Sequence, residues 1–323
     1  MNNQAEQDFT ARRVVVDLVV PVCNEMANVR MFYEEVCTVL NGQDFEFRLI
    51  FINDGSRDDT QKELQKLTEI SDAVEYVELT RNFGKEAAIT AGLDMCGDGP
   101  VVIIDGDMQH PPEMIITFMK LWAEGWENIY GMRENRADEG LFVRYVKGIF
   151  YKVINMEQPL GIANGAGDFR LLGIAAVKTV RALRERNRFM KGLYPWGGHA
   201  SIGVPYRVRE RRQGQSSWGW MKLIQLAGDG ITSFTTFPLR AITVLGLTIT
   251  LAAGGLAVYE LGQALGGGLA VPGYTTVILS VIFLGGVQLL ALGVIAEYVG
   301  KIFLETKSRP IYVVARSTLD TDH

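Results

Sequence analysis

Two carboxylates one residue apart, Asp105 and Asp107, followed by the amide of Gln109, stand directly behind the aliphatic run Val101-Val102-Ile103-Ile104. Such a run reads as a buried parallel strand, and open α/β sheets present ligand groups at the carboxyl ends of their strands. Hard oxygen ligands suit Mg²⁺ or Mn²⁺, which bind through one or two carboxylates while substrate phosphates fill other positions. The chemistry to expect is a divalent cation held against a diphosphate, with Gln109 adding a neutral oxygen. Asp-Gly-Asp alone also fits a plain turn, since both residue types favour turns.

Positioning these groups requires a sheet, and the chain up to about residue 112 alternates aliphatic runs with helical patterns, the signature of βαβ units. Strands are predicted over 14–22, 47–52, 74–79 and 101–104, with helices over 25–40, 58–70 and 84–95. Each strand ends in polar residues. One sheet edge therefore gathers Asn24 and Glu25, Asp54, Arg81 to Lys85, and Asp105 to Gln109, which implies a single pocket. In Asn53-Asp54-Gly55-Ser56, Ser56 or Asp58 can also cap the next helix. A second block, 128–212, is richer in Arg and Gly. It reads as a short strand at 129–132, a helix over 142–154, Gly-rich loops at 161–167, a strand at 169–172, a helix ending near 183 and strands near 200–208.

The carboxyl-terminal third has a different composition. No charged residue occurs in 241–259 or in 261–296, and a membrane-spanning helix needs roughly 20 mostly apolar residues. Two spans are expected, about 239–262 and 274–298. Arg240 precedes the first and Lys301, Lys307 and Arg309 follow the second, while the connecting loop has neither Lys nor Arg, so both chain ends are expected on the cytoplasmic side. The stretch 218–237, with Trp218, Trp220, Phe234 and Phe237, suits an amphipathic helix in the interface; a core helix is the plainer alternative. Gly286, Gly293 and Gly300 form a small-residue stripe that permits close helix contact, which suggests a homo-oligomer, with a tetramer as one form. The expected division is 1–217, 218–237, 238–300 and a tail, 301–323.

Bulk properties exclude several classes. Asp17 interrupts the apolar run behind Arg12 and Arg13, so the amino terminus does not read as a signal peptide. Cys23, Cys37 and Cys96 lack metal-ligand spacing and read as reduced thiols; His110, His199 and His323 show no ligand pattern. A net charge of -5 and the lack of a long basic run argue against nucleic acid. A nicotinamide enzyme would need Gly-x-Gly-x-x-Gly behind the first strand, where Val22-Cys23-Asn24-Glu25 stands.

Val20-Pro21-Val22-Cys23-Asn24-Glu25, Phe51-Ile52-Asn53-Asp54-Gly55-Ser56, Thr80-Arg81-Asn82-Phe83-Gly84-Lys85-Glu86 and Asp105-Gly106-Asp107-Met108-Gln109 together resemble the inverting glycosyltransferases of family 2, which have the GT-A fold. Gly167-Asp168-Phe169-Arg170-Leu171, the run Glu185 to Gly192 and the two spans narrow the resemblance to polyprenyl-phosphate glycosyltransferases. The bactoprenol glucosyltransferases of O-antigen modification are the nearest in look, with dolichyl-phosphate mannose synthases more distant. The resemblance implies an α/β, mostly parallel GT-A domain of Rossmann-like type, an interface helix and a two-helix transmembrane hairpin. It implies transfer of a hexose, glucose before galactose, N-acetylglucosamine or mannose, from a UDP-sugar to undecaprenyl phosphate at the cytoplasmic face of a bacterial inner membrane.

Residue roles follow from the same resemblance. Pro21, Glu25 and Asp54 hold the nucleoside, with Asp54 reading the uracil edge, and Asn24 and Lys85 join them on the donor side. Asp105 and Asp107 hold Mg²⁺ or Mn²⁺ and the diphosphate end, with Asp107 the more direct ligand and Gln109 beside it. Arg211 matches an Arg-x-x-Gly-x-Ser element that closes over the diphosphate. Many relatives follow that Ser with Lys, whereas this chain has Ser217 and then Trp218. Arg133, Arg144 and Lys147 are the acceptor-phosphate candidates, because the family places cations after the fifth strand and on the following helix, and Arg suits bidentate phosphate binding; a solvated basic face is the plainer reading. Asp168 and Arg170 organise the sugar or acceptor pocket, and Asn187 to Gly192 reads as a gating loop or a helix junction. A processive polysaccharide synthase lacks support, since there is no Gln-x-x-Arg-Trp element and only two spans. A non-catalytic scaffold would not need both carboxylates.

Overall fold

The computed structural model describes residues 13–133, 166–186, 188–209, 235–265 and 273–319. The expected helix over 142–154, most of the interface helix, and Arg144, Lys147, Asn187 and Arg211 lie outside them. The chain divides into an α/β unit, which takes everything described up to Arg209 together with 309–319, and a helical unit over 235–308.

In the α/β unit the aliphatic runs become β1 (Val15–Val22), β2 (Glu46–Asn53), β3 (Val74–Leu79) and β4 (Val101–Ile103), alternating with α1 (Met26–Leu40), α2 (Thr60–Ile70) and α3 (Lys85–Met95). Then come α4 (Glu113–Ala123), which the sequence reading did not name, β5 (Asn128–Arg133), β6 (Ala166–Leu172), α5 (Ile174–Ala182), α6 (Met190–Trp196) and β7 (Ser201–Tyr206). With β8 (Val314–Ser317) near the end of the chain, one eight-stranded sheet results, in the order β7-β5-β6-β4-β1-β2-β3-β8. β1 runs parallel to β2 and β4, and β2 to β3, while β6 lies antiparallel between β4 and β5.

The strands are aliphatic on both faces because both faces are covered. On one face Val16, Leu18, Val20 and Val22 pack with Val29, Phe32, Val36 and Leu40 of α1, a stripe at helical spacing. On the other, α3 packs against β1 and β2. Its run Ala87 to Leu93 is wholly buried, and Gly92 lies so close to the Val19 side chain that a Cβ there would collide with it. Small residues thus let α3 sit tight on the sheet, which fixes the position of Lys85 at its first turn.

The sheet's other edge is locked by charge. Asp17, 2 % exposed, accepts two hydrogen bonds from Arg48 at 2.9 Å each and one from the Gly97 N–H at 2.7 Å. Removing one partner of a buried pair strands the other. Asp17→Ala is therefore expected to destabilise the α/β unit by about 3–5 kcal/mol, read as a shifted midpoint in chemical denaturation of the full chain; an unchanged midpoint would refute the lock.

The residues after the second apolar helix, expected as a tail, return to the sheet. β8 (Val314–Ser317) pairs antiparallel with the β3 edge, and the Thr80 N–H donates to the Val313 carbonyl at 2.9 Å. Tyr312 donates to Asp94 at 2.8 Å, and Arg186 donates to the Arg309 carbonyl.

The helical unit holds α7 (Phe237–Leu265) and α8 (Tyr274–Thr306), longer at their ends than the spans read from sequence. Both are long and apolar enough to cross a membrane, and their most apolar windows, Phe237–Leu256 and Phe283–Thr306, contain no buried residue. Leu251 is 68 % and Leu289 72 % exposed. Gly286, Gly293 and Gly300 have open space where a Cβ would stand.

Candidate active site

The carboxyl ends of β1, β2, β3 and β4 meet at one edge, as the alternating pattern implies. Pro21 pairs with Ile52 near the end of β1. Asn24 follows in the left-handed region, φ 57°, which Asn tolerates better than most residues. Its backbone N–H donates to Ser56 Oγ at 2.9 Å, and its Oδ1 accepts from the Arg57 N–H at 2.8 Å. Ser56 is thereby committed to joining the two loops, while Asp58 accepts from the Thr60 N–H at 3.1 Å at the start of α2. Glu25 accepts from Asn28 Nδ2 at 2.5 Å.

Asp54 is 3 % exposed, and its two oxygens accept from the Phe83 and Gly84 N–H groups at 2.7 and 2.9 Å. It therefore ties the β2 loop to the loop that leads into α3. A carboxylate offers about four lone-pair sites, so these two bonds leave acceptor capacity. Gly55, at φ 60°, is required here, because a Cβ would overlap the Arg81 backbone.

The metal candidates sit on a strained turn. Met108 adopts φ 64°, a costly conformation for a residue with a long side chain, and is held there by burial in the core at 6 % exposure. The turn is closed by the Gln109 N–H donating to Asp107 Oδ1 at 3.2 Å. Asp107 and Gln109 are both half-buried. The Gln109 carbonyl accepts from the Arg209 N–H at 3.2 Å, and the Arg209 guanidinium pairs with Glu35 and, at 2.9 Å, with Glu113.

Asp105 is engaged by two side chains that local spacing did not connect. Lys85 Nζ lies 2.7 Å from Asp105 Oδ1 and 3.2 Å from Asp168 Oδ2, so one ammonium joins β4 to β6. The β4–β6 register sets Ile103 opposite Arg170, and two further residues along each strand bring Asp105 beside Asp168. On the other side His110, 3 % exposed, sits with Nε2 3.5 Å from Asp105 Oδ2. Burial alone would raise the Asp105 carboxyl, but the Lys85 charge and the His110 contact outweigh it and hold the group well below the usual carboxylate range. Asp168 is likewise held down, burial being outweighed by Lys85 and Lys191.

His110 was set aside in the sequence for want of ligand spacing, and the structure gives it a bracing position. Its Nδ1 is 2.8 Å from the Tyr206 hydroxyl, and its ring lies 4.8 Å from that of Phe169. Arg133 is exposed at the end of β5. A chain of contacts runs from Tyr206 through His110 to Asp105.

Arg170 is 2 % exposed and turned inward. It donates to Asn128 Oδ1 at 3.2 Å and to the Gly167 carbonyl at 2.5 Å, and its guanidinium stacks 3.6 Å from the Tyr194 ring. It braces the segment that carries Asp168. The Oδ1 of Asp168 is buried without a hydrogen-bond partner among the described residues.

The donor set fits a divalent cation of the kind expected. Among the described residues no three His, Cys, Asp or Glu side chains form a cage, and a cation held by one or two carboxylates and a diphosphate needs none. Asp107, Asp105 and Gln109 supply hard oxygens on one turn. Arg144, Lys147 and Arg211 lie outside the described residues.

Comparison with known proteins gives the arrangement its family. Residues 17–181 match the model of glycosyl transferase family 2. The chain is 38% identical over 302 residues to the SfII prophage-derived bactoprenol glucosyl transferase of Shigella flexneri, covering 94% of this chain and 98% of that one. It is also 38% identical to the putative glycosyltransferase CsbB of Bacillus subtilis, covering 94% and 92%. Among solved structures, mannosyl-3-phosphoglycerate synthase from Rubrobacter xylanophilus superposes with a TM-score of 0.47 at 15% identity, over 73% of this chain and 76% of that one. By the family match and these relatives, the chain belongs to glycosyltransferase family 2.

Proposed function

We propose that the protein transfers a hexose, glucose first among the candidates, from a UDP-sugar to undecaprenyl or another polyprenyl phosphate, with inversion at C1. The observation that carries this reading is the meeting of Asp54, Asp105, Asp107 and Lys85 at one sheet edge, in a chain that also has two long apolar helices. The names of relatives such as the Shigella bactoprenol glucosyl transferases support the acceptor class.

In this reading Pro21, Asn24, Glu25 and Asp54 hold the nucleoside, Asp54 using its remaining lone pairs on the uracil edge. Asp105, Asp107 and Gln109 would hold Mg²⁺ or Mn²⁺, which supplies Lewis-acid neutralisation of the leaving diphosphate. Lys85 keeps Asp105 ionised. Arg133, with Arg144 and Lys147, positions the acceptor phosphate. No strong base is needed, because a phosphate monoester's second ionisation lies near 6 and the attacking oxygen is already anionic at neutral pH. In this reading the enzyme works in a bacterial inner membrane with both ends cytosolic, and the exposed glycines of α8 suit assembly into a homo-oligomer.

Titration of UDP into the full chain, with and without Mn²⁺, tests the donor half of the proposal. Binding should tighten at least tenfold with the metal. Equal binding in both conditions would favour a scaffold over a metal-assisted transferase.

A further inference from the structure

Helix α6 has no side-chain cap at its amino end. Its first N–H, that of Met190, donates instead to Glu86 Oε2 at 3.0 Å, across 104 residues of sequence. Glu86 sits in the first turn of α3, next to Lys85. α6 carries Tyr194, 1 % exposed and stacked on Arg170, and Lys191, whose charge acts on both Asp168 and Glu86. Three elements that line the Asp105–Asp168 cluster therefore converge on one carboxyl.

We propose that Glu86 is a positioning residue that latches α6, with its Tyr194–Arg170 stack, onto the Lys85–Asp105–Asp168 cluster. The inference rests on the transfer reading above for its catalytic consequence, but the latch itself is a property of the fold. The groups facing Glu86 are Lys85 on its own helix, Asp168 and Arg170 on β6, and Lys191 and Tyr194 on α6, with Asp105 of the β4 edge behind Lys85. Burial, then the like charge of Asp168, pushes the Glu86 carboxyl up to about 7, against the opposing Met190 N–H and the two lysines. A carboxyl raised in the folded state holds its proton there more tightly than when released. The stability it contributes is complete below its ordinary value of 4.5 and is lost as pH rises through about 7. The latch therefore loosens as Glu86 ionises, because the new charge faces Asp168 in a poorly hydrated site. Glutamine keeps an acceptor for the Met190 N–H and cannot ionise; alanine removes it.

The test uses the full chain in detergent as wild type, Glu86→Gln and Glu86→Ala. Deuterium uptake of the 188–196 amides, corrected for intrinsic exchange, and kcat for sugar transfer are followed from pH 6 to 8.5. Wild type should protect these amides at pH 6 and lose protection and kcat together above about 7. Glu86→Gln should keep both across the range. Glu86→Ala should lose protection at every pH and about tenfold in kcat, with a smaller change in KM for the donor. Wild-type protection in Glu86→Ala, or the wild-type pH profile in Glu86→Gln, would overturn the latch. Absence of transfer by wild type with every UDP-hexose would instead overturn the transfer reading, and the exchange data would still decide the latch.

Discussion

Replacing Lys85 by methionine is expected to lower sugar transfer about a hundredfold, of the order lost when one preorganised charge is removed from an active site, while the sheet stays assembled. The ammonium is 2.7 Å from Asp105 and 3.2 Å from Asp168. Methionine keeps the apolar stem and deletes the charge. Two neighbouring carboxylates are then left facing each other, and like charges at that range cannot both stay ionised at little cost, so one takes up a proton near neutral pH. If that proton settles on Asp105, the oxygen offered to the metal and diphosphate is lost. The two stranded carboxylates, 24 % and 17 % exposed, should also cost some stability, so activity is compared at a temperature where both proteins are folded. Steady-state rates across pH check this. The variant should recover partly as pH rises and the shared proton leaves, and a wild-type kcat at pH 7 would remove Lys85 from the site.

Asp107→Ala is expected to abolish metal-dependent UDP binding and to cut transfer by at least about a thousandfold, since a metal acting on a leaving group supplies several kcal/mol. Folding should be nearly untouched. The side chain is half-buried on a turn anchored by Met108. Circular dichroism should overlay on wild type while calorimetric UDP titration with Mn²⁺ loses its metal dependence. Turnover near the wild-type rate would show that Asp107 does not serve the cation.

The first four strands and three helices were legible because parallel strands covered on both faces must be aliphatic, and their bounds shift by no more than two residues between sequence and structure. Asp105 and Asp107 were legible for the same reason: the run that buries the strand also announces its end. What sequence spacing could not show is pairing at a distance. β8 is a four-residue edge strand, Val-Ala-Arg-Ser, whose only meaning comes from β3, more than 200 residues earlier. His110 has no ligand spacing because Tyr206 arrives from β7, 96 residues later, while Asp105 is reached through the fold of their shared turn. Lys85 appeared as a donor-side cation, and only the antiparallel β4–β6 register explains why it meets Asp168 as well. Glu86 was visible as part of a motif without a role, since its partner is the backbone N–H of Met190, which no side-chain pattern encodes.

If these carboxylates serve a leaving UDP while a lipid phosphate attacks, sugar must pass from UDP to lipid in a metal-dependent way. The most direct measurement incubates purified full-length protein with UDP-glucose labelled in the sugar, Mg²⁺ or Mn²⁺, and undecaprenyl phosphate, and extracts the lipid. Label is expected in the organic phase as a β-linked glucosyl phosphate, dependent on both metal and lipid phosphate. Label that stays aqueous for UDP-glucose and for every other UDP-hexose would contradict it.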